Sequence, residues 1–207
     1  FELRPGPTGN FSVSAVWFDN ETQVVLEIEK TLQIYHGDLA RIILPQSGTR
    51  VASDDVLALN PLFEDEYGNT VDNVPITWII DDVDMTMEVR LAGDKWAPNS
   101  IGMHEIRAMA QGVFAITDVE VIAGTARYIS TSFDQGISVS SGDSVEIKIT
   151  TTDVHGNSAL ASQVDFEFDD PLGIITPSSE GDGYWIVEGG KTGQWNLRMR
   201  TGSAVSD

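Results

Sequence analysis

Asp65-Glu66-Tyr67-Gly68-Asn69 and Asp153-Val154-His155-Gly156-Asn157 are two copies of one turn signature, 88 residues apart (153 minus 65). In each, glycine supplies the positive φ that a tight connection needs. The asparagine after it tolerates a left-handed backbone and bonds back to the chain. Gly68, Asn69, Gly156 and Asn157 are therefore the candidate structural turn residues. Working outward at the same spacing, Trp78 falls on Phe166 and Asp81-Asp82 falls on Asp169-Asp170. Upstream, Leu39-Ala40-Arg41-Ile42 resembles Thr125-Ala126-Arg127-Tyr128, and downstream Gly102 to Arg107 matches Gly193 to Arg198. The spacing drifts by a few residues, as loop insertions would make it, while the order of elements is kept.

A third, partial copy stands at the start. Gly9-Asn10-Phe11-Ser12-Val13-Ser14-Ala15 resembles Gly102 to Ala108, and Leu32 to Gly37 aligns with Val119 to Gly124. The reading is thus residues 1–37 as the last strands of a preceding copy, 38–124 as one full copy, and 125–207 as a copy lacking its last strand. Joints fall at Gly37 and Gly124, with linkers short enough to restrict bending.

Within each copy the signals are β. Val56 to Leu59, Val74 to Ile80, Ile101 to Met109 and Val113 to Val121 are short runs rich in β-branched and aromatic residues, separated by turn residues. Val145 to Ile149 and Val164 to Phe168 alternate apolar and polar side chains, which places one face on a core and the other in water. No window carries a capped helical stripe. About seven short strands in some 90 residues is the size of an immunoglobulin-like sandwich. The expected fold is all-β: tandem immunoglobulin-like β-sandwich domains.

The pattern of a strand, Asp-x-x-Gly-Asn, a few small polar residues and an aromatic strand resembles the bacterial immunoglobulin-like domains of invasin and intimin type. It runs from Asp65 to Trp78 and again from Asp153 to Phe166. The resemblance implies a rod of stacked domains on a cell surface, acting as stalk, spacer or adhesin.

Composition narrows the partners. Of 207 residues 32 are acidic and 12 basic, a formal net charge of -20. Such a field repels phosphate backbones and anionic lipid, so nucleic acid and membrane surfaces are not expected partners. No apolar run approaches the roughly 20 residues that cross a bilayer as a helix. Cysteine is absent, which excludes disulfide staples, thiol catalysis and zinc ribbons and suits a prokaryotic exported protein. The first residue, Phe1, fits a fragment or a processed product.

Nothing in the sequence forms a catalytic constellation. His36 and His155 sit beside glycine in expected turns, and His104 lies in an expected strand, without zinc or triad spacing. The densest carboxylates, Asp81, Asp82 and Asp84, with their counterparts Asp169 and Asp170, are weak candidates for calcium, which takes six to eight oxygens. Solvated loop ends are the plainer reading, and no other cofactor is indicated. Trp17, Trp78, Trp96, Trp185 and Trp195 invite a sugar-stacking reading, but tryptophans alternating with polar neighbours default to core packing. Asn10-Phe11-Ser12 and Asn20-Glu21-Thr22 are glycosylation tripeptides at a frequency that chance supplies.

The expected role is a non-enzymatic, extracellular or cell-surface structural or adhesive rod segment, its partners the adjacent repeats and a surface glycan or protein. The alternatives are an accessory segment of a secreted hydrolase or receptor, and a carbohydrate- or calcium-binding module. The incomplete last copy has a rival to simple truncation: residues 22–36 of one molecule completing residues 125–207 of the next, head to tail.

Overall fold

The alternation at Val145 to Ile149 is realised within a longer strand, Ser144–Thr152, whose Ile147, Ile149 and Thr151 are buried while Glu146, Lys148 and Thr150 face water. A computed structural model describes residues 6–133, 136–159, 164–168, 173–194, 196–201 and 204–206. Along the chain run β1 (Gly9–Phe18), β2 (Val25–Ile34), β3 (Arg41–Ile43), β4 (Thr49–Ala52), β5 (Leu57–Ala58) and β6 (Leu62–Glu64). Next come β7 (Thr77–Ile80), β8 (Val83–Asp84), α1 (Thr86–Leu91), β9 (Lys95–Trp96), β10 (Gly102–Ala110), β11 (Val113–Ile122) and β12 (Tyr128–Thr131). They are followed by β13 (Ser144–Thr152), β14 (Ser158–Ala159), β15 (Asp165–Phe168), β16 (Gly173–Pro177), β17 (Tyr184–Gly189), β18 (Leu197–Thr201) and β19 (Ala204–Ser206). Among the described residues the protein is all-β apart from one short helix.

By their contacts the residues divide into two compact units. One takes Phe1–Ser47, Leu59–Asp94 and Glu105–Asp118; the other takes Gly48–Ala58, Lys95–His104 and Val119–Asp207. These units interleave along the chain, whereas the copies expected from the sequence are consecutive.

In the first unit β1 and β2 form an antiparallel ribbon from Gly9 opposite Ile34 to Phe18 opposite Val25. β3 pairs with β6, and β7 pairs with both β8 and β10, setting Trp78 opposite Ala108 and Ile80 opposite Ile106. Small Ala108 makes room for the indole, and both side chains are fully buried, as are Leu59, Val89 and Ile106. Gln111 and Gly112 connect β10 to β11 with positive φ, as a tight two-residue hairpin requires.

In the second unit β11 pairs in parallel with β4, and β5 with β9. β12, β13, β17 and β16 lie side by side, and β15, β18 and β19 form a separate sheet. Between them Ile147, Ile149, Val164, Trp185, Val187 and Met199 form the core, with Phe166 set edge-on to Trp185 at 4.7 Å.

Three features differ from the sequence reading. The helix α1 has only six residues, too few for the apolar stripe by which helices are recognised. The run from Val74 becomes a strand only at Thr77, because Pro75 has no N–H to give a ladder. And β18 turns back into β19 in the copy expected to end without another strand.

Candidate functional site

The two Asp-x-x-Gly-Asn turns fold identically. Gly68 and Gly156 adopt φ of 81° and 84°. Each donates its N–H to the carbonyl of the leading aspartate at 3.1 Å, and that aspartate's N–H returns to the asparagine carbonyl at 3.0 Å. What the turn builds is a buried carboxylate. Oδ1 of Asp65 accepts the N–H groups of Tyr67 (2.9 Å) and Asn69 (2.8 Å), and Oδ2 accepts Nδ2 of Asn69 (2.9 Å). Oδ1 of Asp153 accepts the N–H groups of His155 and Asn157, and Oδ2 accepts Nδ2 of Asn157, all at 2.9 Å.

Each carboxylate then reaches far back along the chain. Asp65 Oδ2 accepts the N–H of Gly37 at 2.8 Å, and Asp153 Oδ2 accepts the N–H of Gly124 at 3.1 Å. These two glycines are the joints read from the repeat. The asparagines reach back as well: Asn69 Nδ2 donates to the Gly6 carbonyl (3.3 Å) and Asn157 Nδ2 to the Asn99 carbonyl (3.1 Å). Gly6 and Asn99 stand three residues before the aligned Gly9 and Gly102, so the second contact is duplicated too. Asn69 Oδ1 also accepts the Thr8 N–H at 3.1 Å. At the second joint Ser53 joins in: its Oγ donates to Asp153 Oδ2 and accepts from the Gly124 N–H at 3.0 Å. Asp54 accepts the N–H of Thr125 at 2.9 Å.

Asp65 and Asp153 are 1% and 0% exposed. Burial pushes both carboxyls up, but the donors outweigh it. Gly37 and Asn69 with Tyr67 hold Asp65, and Ser53, Asn157 and Gly124 hold Asp153, far below the usual carboxylate range. Both are ionised and hydrogen-bonded at every lone pair, which is how a buried charge is tolerated.

The other candidates are placed as follows. Asp81 and Asp82, both at positive φ, are the two central residues of the turn between β7 and β8. Asp81 Oδ1 accepts the N–H of Glu105, and Asp84 accepts the N–H of Thr86 at the start of α1, each at 3.0 Å. No group of three or more histidines, aspartates or glutamates among the described residues is placed to hold a metal ion. Asp169, Asp170 and Trp195 lie outside the described residues. Trp78, Trp96 and Trp185 are buried, whereas Trp17 is 54% exposed on the β1–β2 ribbon. His36 lies against the Gly37 carbonyl through Nδ1 (2.8 Å), and His104 meets the edge of Trp96 and the Ser100 carbonyl.

The sequence marked the glycines and asparagines of these turns and both joints, but not the carboxylates that connect them. One signal was there: joint glycine and turn aspartate are 28 residues apart in one copy and 29 in the other.

The fold is all-β, of the immunoglobulin-like β-sandwich kind. Among solved structures it is similar to the Escherichia coli adhesin FdeC, with 12% identity over 98% of this chain and 82% of that one and a TM-score of 0.59. Domains 1–6 of the surface layer protein SbsC align at 15% identity over 96% of this chain, which spans about a third (34%) of that six-domain chain, with a TM-score of 0.38. A Parabacteroides merdae β-glucuronidase aligns over 82% of this chain and 24% of its own, at 14% identity and a TM-score of 0.27. No family model matches the sequence, and no curated protein matches it. No helix among the described residues is long and apolar enough to cross a membrane.

Proposed function

We propose that this chain is a non-enzymatic segment of an extracellular array of invasin- or intimin-type immunoglobulin-like copies, serving as a spacer or adhesive stalk of a prokaryotic surface protein. Its copies are 1–37, 38–124 and 125–207. The observation that carries the reading is the duplicated joint: the same carboxylate, asparagine amide and glycine N–H meet at Gly37 and at Gly124. A joint built twice from the same atoms is what a repeating stalk needs, and no catalytic chemistry requires it. The fold likeness to an adhesin and the acid-rich, cysteine-free composition point the same way.

The ribbon of β1 and β2 fits the same scheme. Phe11, Val13, Ala15 and Trp17 share one face with Leu26, Ile28, Leu32 and Ile34, interrupted by Lys30 opposite Val13, while Ser12, Ser14, Val16, Glu27 and Glu29 share the other. The equivalents of Val13 and Ala15 in the full copy, Ile106 and Ala108, are fully buried. The ribbon is the closing strand pair of a preceding copy, and its apolar face belongs to that copy's core.

Small-angle scattering on polypeptides of increasing copy number tests the stalk. The maximum dimension should grow by an equal step per copy, and surface proteolysis of intact cells should release the segment. A compact particle, or a segment protected inside the cell, would overturn the proposal.

A further inference from the structure

We infer that each copy grips its predecessor through a donor-saturated carboxylate, Asp65 at one joint and Asp153 at the other, so that the array keeps its joints without calcium or any other divalent cation. This rests on the stalk reading and names the partner surface: the joint glycine N–H together with the carbonyl of the loop before the predecessor's penultimate strand.

The chemistry follows from counting lone pairs. A carboxylate offers about four acceptor positions. Asp65 receives four hydrogen bonds, and Asp153 receives five when the Ser53 hydroxyl is included. Calcium needs six to eight oxygens at 2.3–2.6 Å with free lone pairs turned toward it. Here both carboxylate oxygens face N–H hydrogens, whose partial positive charge would repel a cation. The positive charge that a metal would bring is supplied by backbone and amide dipoles that are already in place.

Steric detail separates the two joints. A Cβ on Gly124 would lie 2.4 Å from the Asp54 carboxylate, whereas one on Gly37 would make ordinary contact with Asp65 at 3.6 Å. Gly124 therefore sits in a closed slot, and Gly37 lies beside an open one.

Amide hydrogen exchange on this chain by NMR tests the grip, read at Gly37 and Gly124 with chelator and then with excess calcium chloride. Exchange at both glycines should be slow and unchanged between the two conditions. Asp153→Asn turns an NH2 group toward donors, so exchange at Gly124 should rise at least about tenfold while Gly37 stays put. Asp65→Asn should do the reverse. If Asp153→Asn also frees the amides of Ile147 and Ile149, the copy itself has opened. Ser53→Ala then decides, since it keeps the carboxylate and should still speed Gly124 selectively. Slower exchange on adding calcium, or indifference of the glycines to these substitutions, would overturn the grip. An array that proves compact while both glycines respond as described would overturn the stalk and leave the grip standing.

Discussion

The carboxylate of Asp153 accepts the N–H of Gly124, 29 residues earlier, at 3.1 Å, and does so while almost wholly removed from water. A turn that looks local in sequence is therefore a long-range tie. Its worth depends on the charge, because an ionised acceptor makes stronger hydrogen bonds than a neutral one.

Acid should loosen both joints, and the sign is fixed by the carboxyls. Asp65 and Asp153 hold native values well below the ordinary 3.8. Between the native and unfolded values the unfolded chain binds more protons, so stability rises with pH there. The contribution is complete above the ordinary carboxylate range and is lost as pH falls through the native values. Urea melts should show stability still falling below about pH 4, with a shallower acid limb in Asp65→Asn and Asp153→Asn. Parallel acid limbs in all three proteins would contradict this.

Adding one methyl group should separate the joints. Gly124→Ala forces the Asp54 carboxylate aside and breaks its bond to Thr125, at a cost of about 1–3 kcal/mol. Gly37→Ala meets only ordinary contacts and should stay within about 1 kcal/mol of the parent. Denaturant midpoints measured on the two variants give the comparison directly.

Trp78 should tolerate phenylalanine but not alanine. Its side chain is fully buried, and among the described residues its indole N–H meets no acceptor, so packing is what holds the ring there. The aligned position in the next copy is already Phe166. Trp78→Phe should cost under about 1.5 kcal/mol, and Trp78→Ala about 3–5 kcal/mol. Thermal melts of the pair check the contrast.

The uncovered ribbon face should make this polypeptide self-associate without contributing to its stability. Trp17 and Leu26 face each other on it, 54% and 59% exposed. Replacing both by serine should lower sedimentation-detected association and leave the melt within about 0.5 kcal/mol. Head-to-tail strand exchange predicts, instead, that association persists as long as residues 22–36 can pair.

Much of the fold was legible because its signals are local. Gly68 and Gly156 announce their turns, the two-residue alternation of Val145 to Ile149 announces a half-buried strand, and Trp78 aligned with Phe166 announces a core position. The joints were legible as glycines but not as ties. Apart from the recurring spacing to a joint glycine, nothing in a sequence with 32 acids distinguishes the two that are buried among the described residues, because burial is decided by donors brought from elsewhere. Ser53 reaches Asp153 across 100 residues, a contact that no periodicity encodes. Asp81 and Asp82 are adjacent in sequence, but adjacency says nothing of direction. Their left-handed backbone, which places them at the centre of a hairpin turn, was not legible.

The groups that both joints share from the earlier segment are main-chain atoms, the N–H of Gly37 or Gly124 and the carbonyl of Gly6 or Asn99, while Ser53 and Asp54 add side-chain contacts at the second alone. A contact made to the backbone survives almost any change of side chain. If the chain is the stalk segment proposed above, a gene duplication that inserts another copy would therefore find its docking partner ready-made. Such a stalk could lengthen in a single genetic step while the exposed faces of its copies diverge freely.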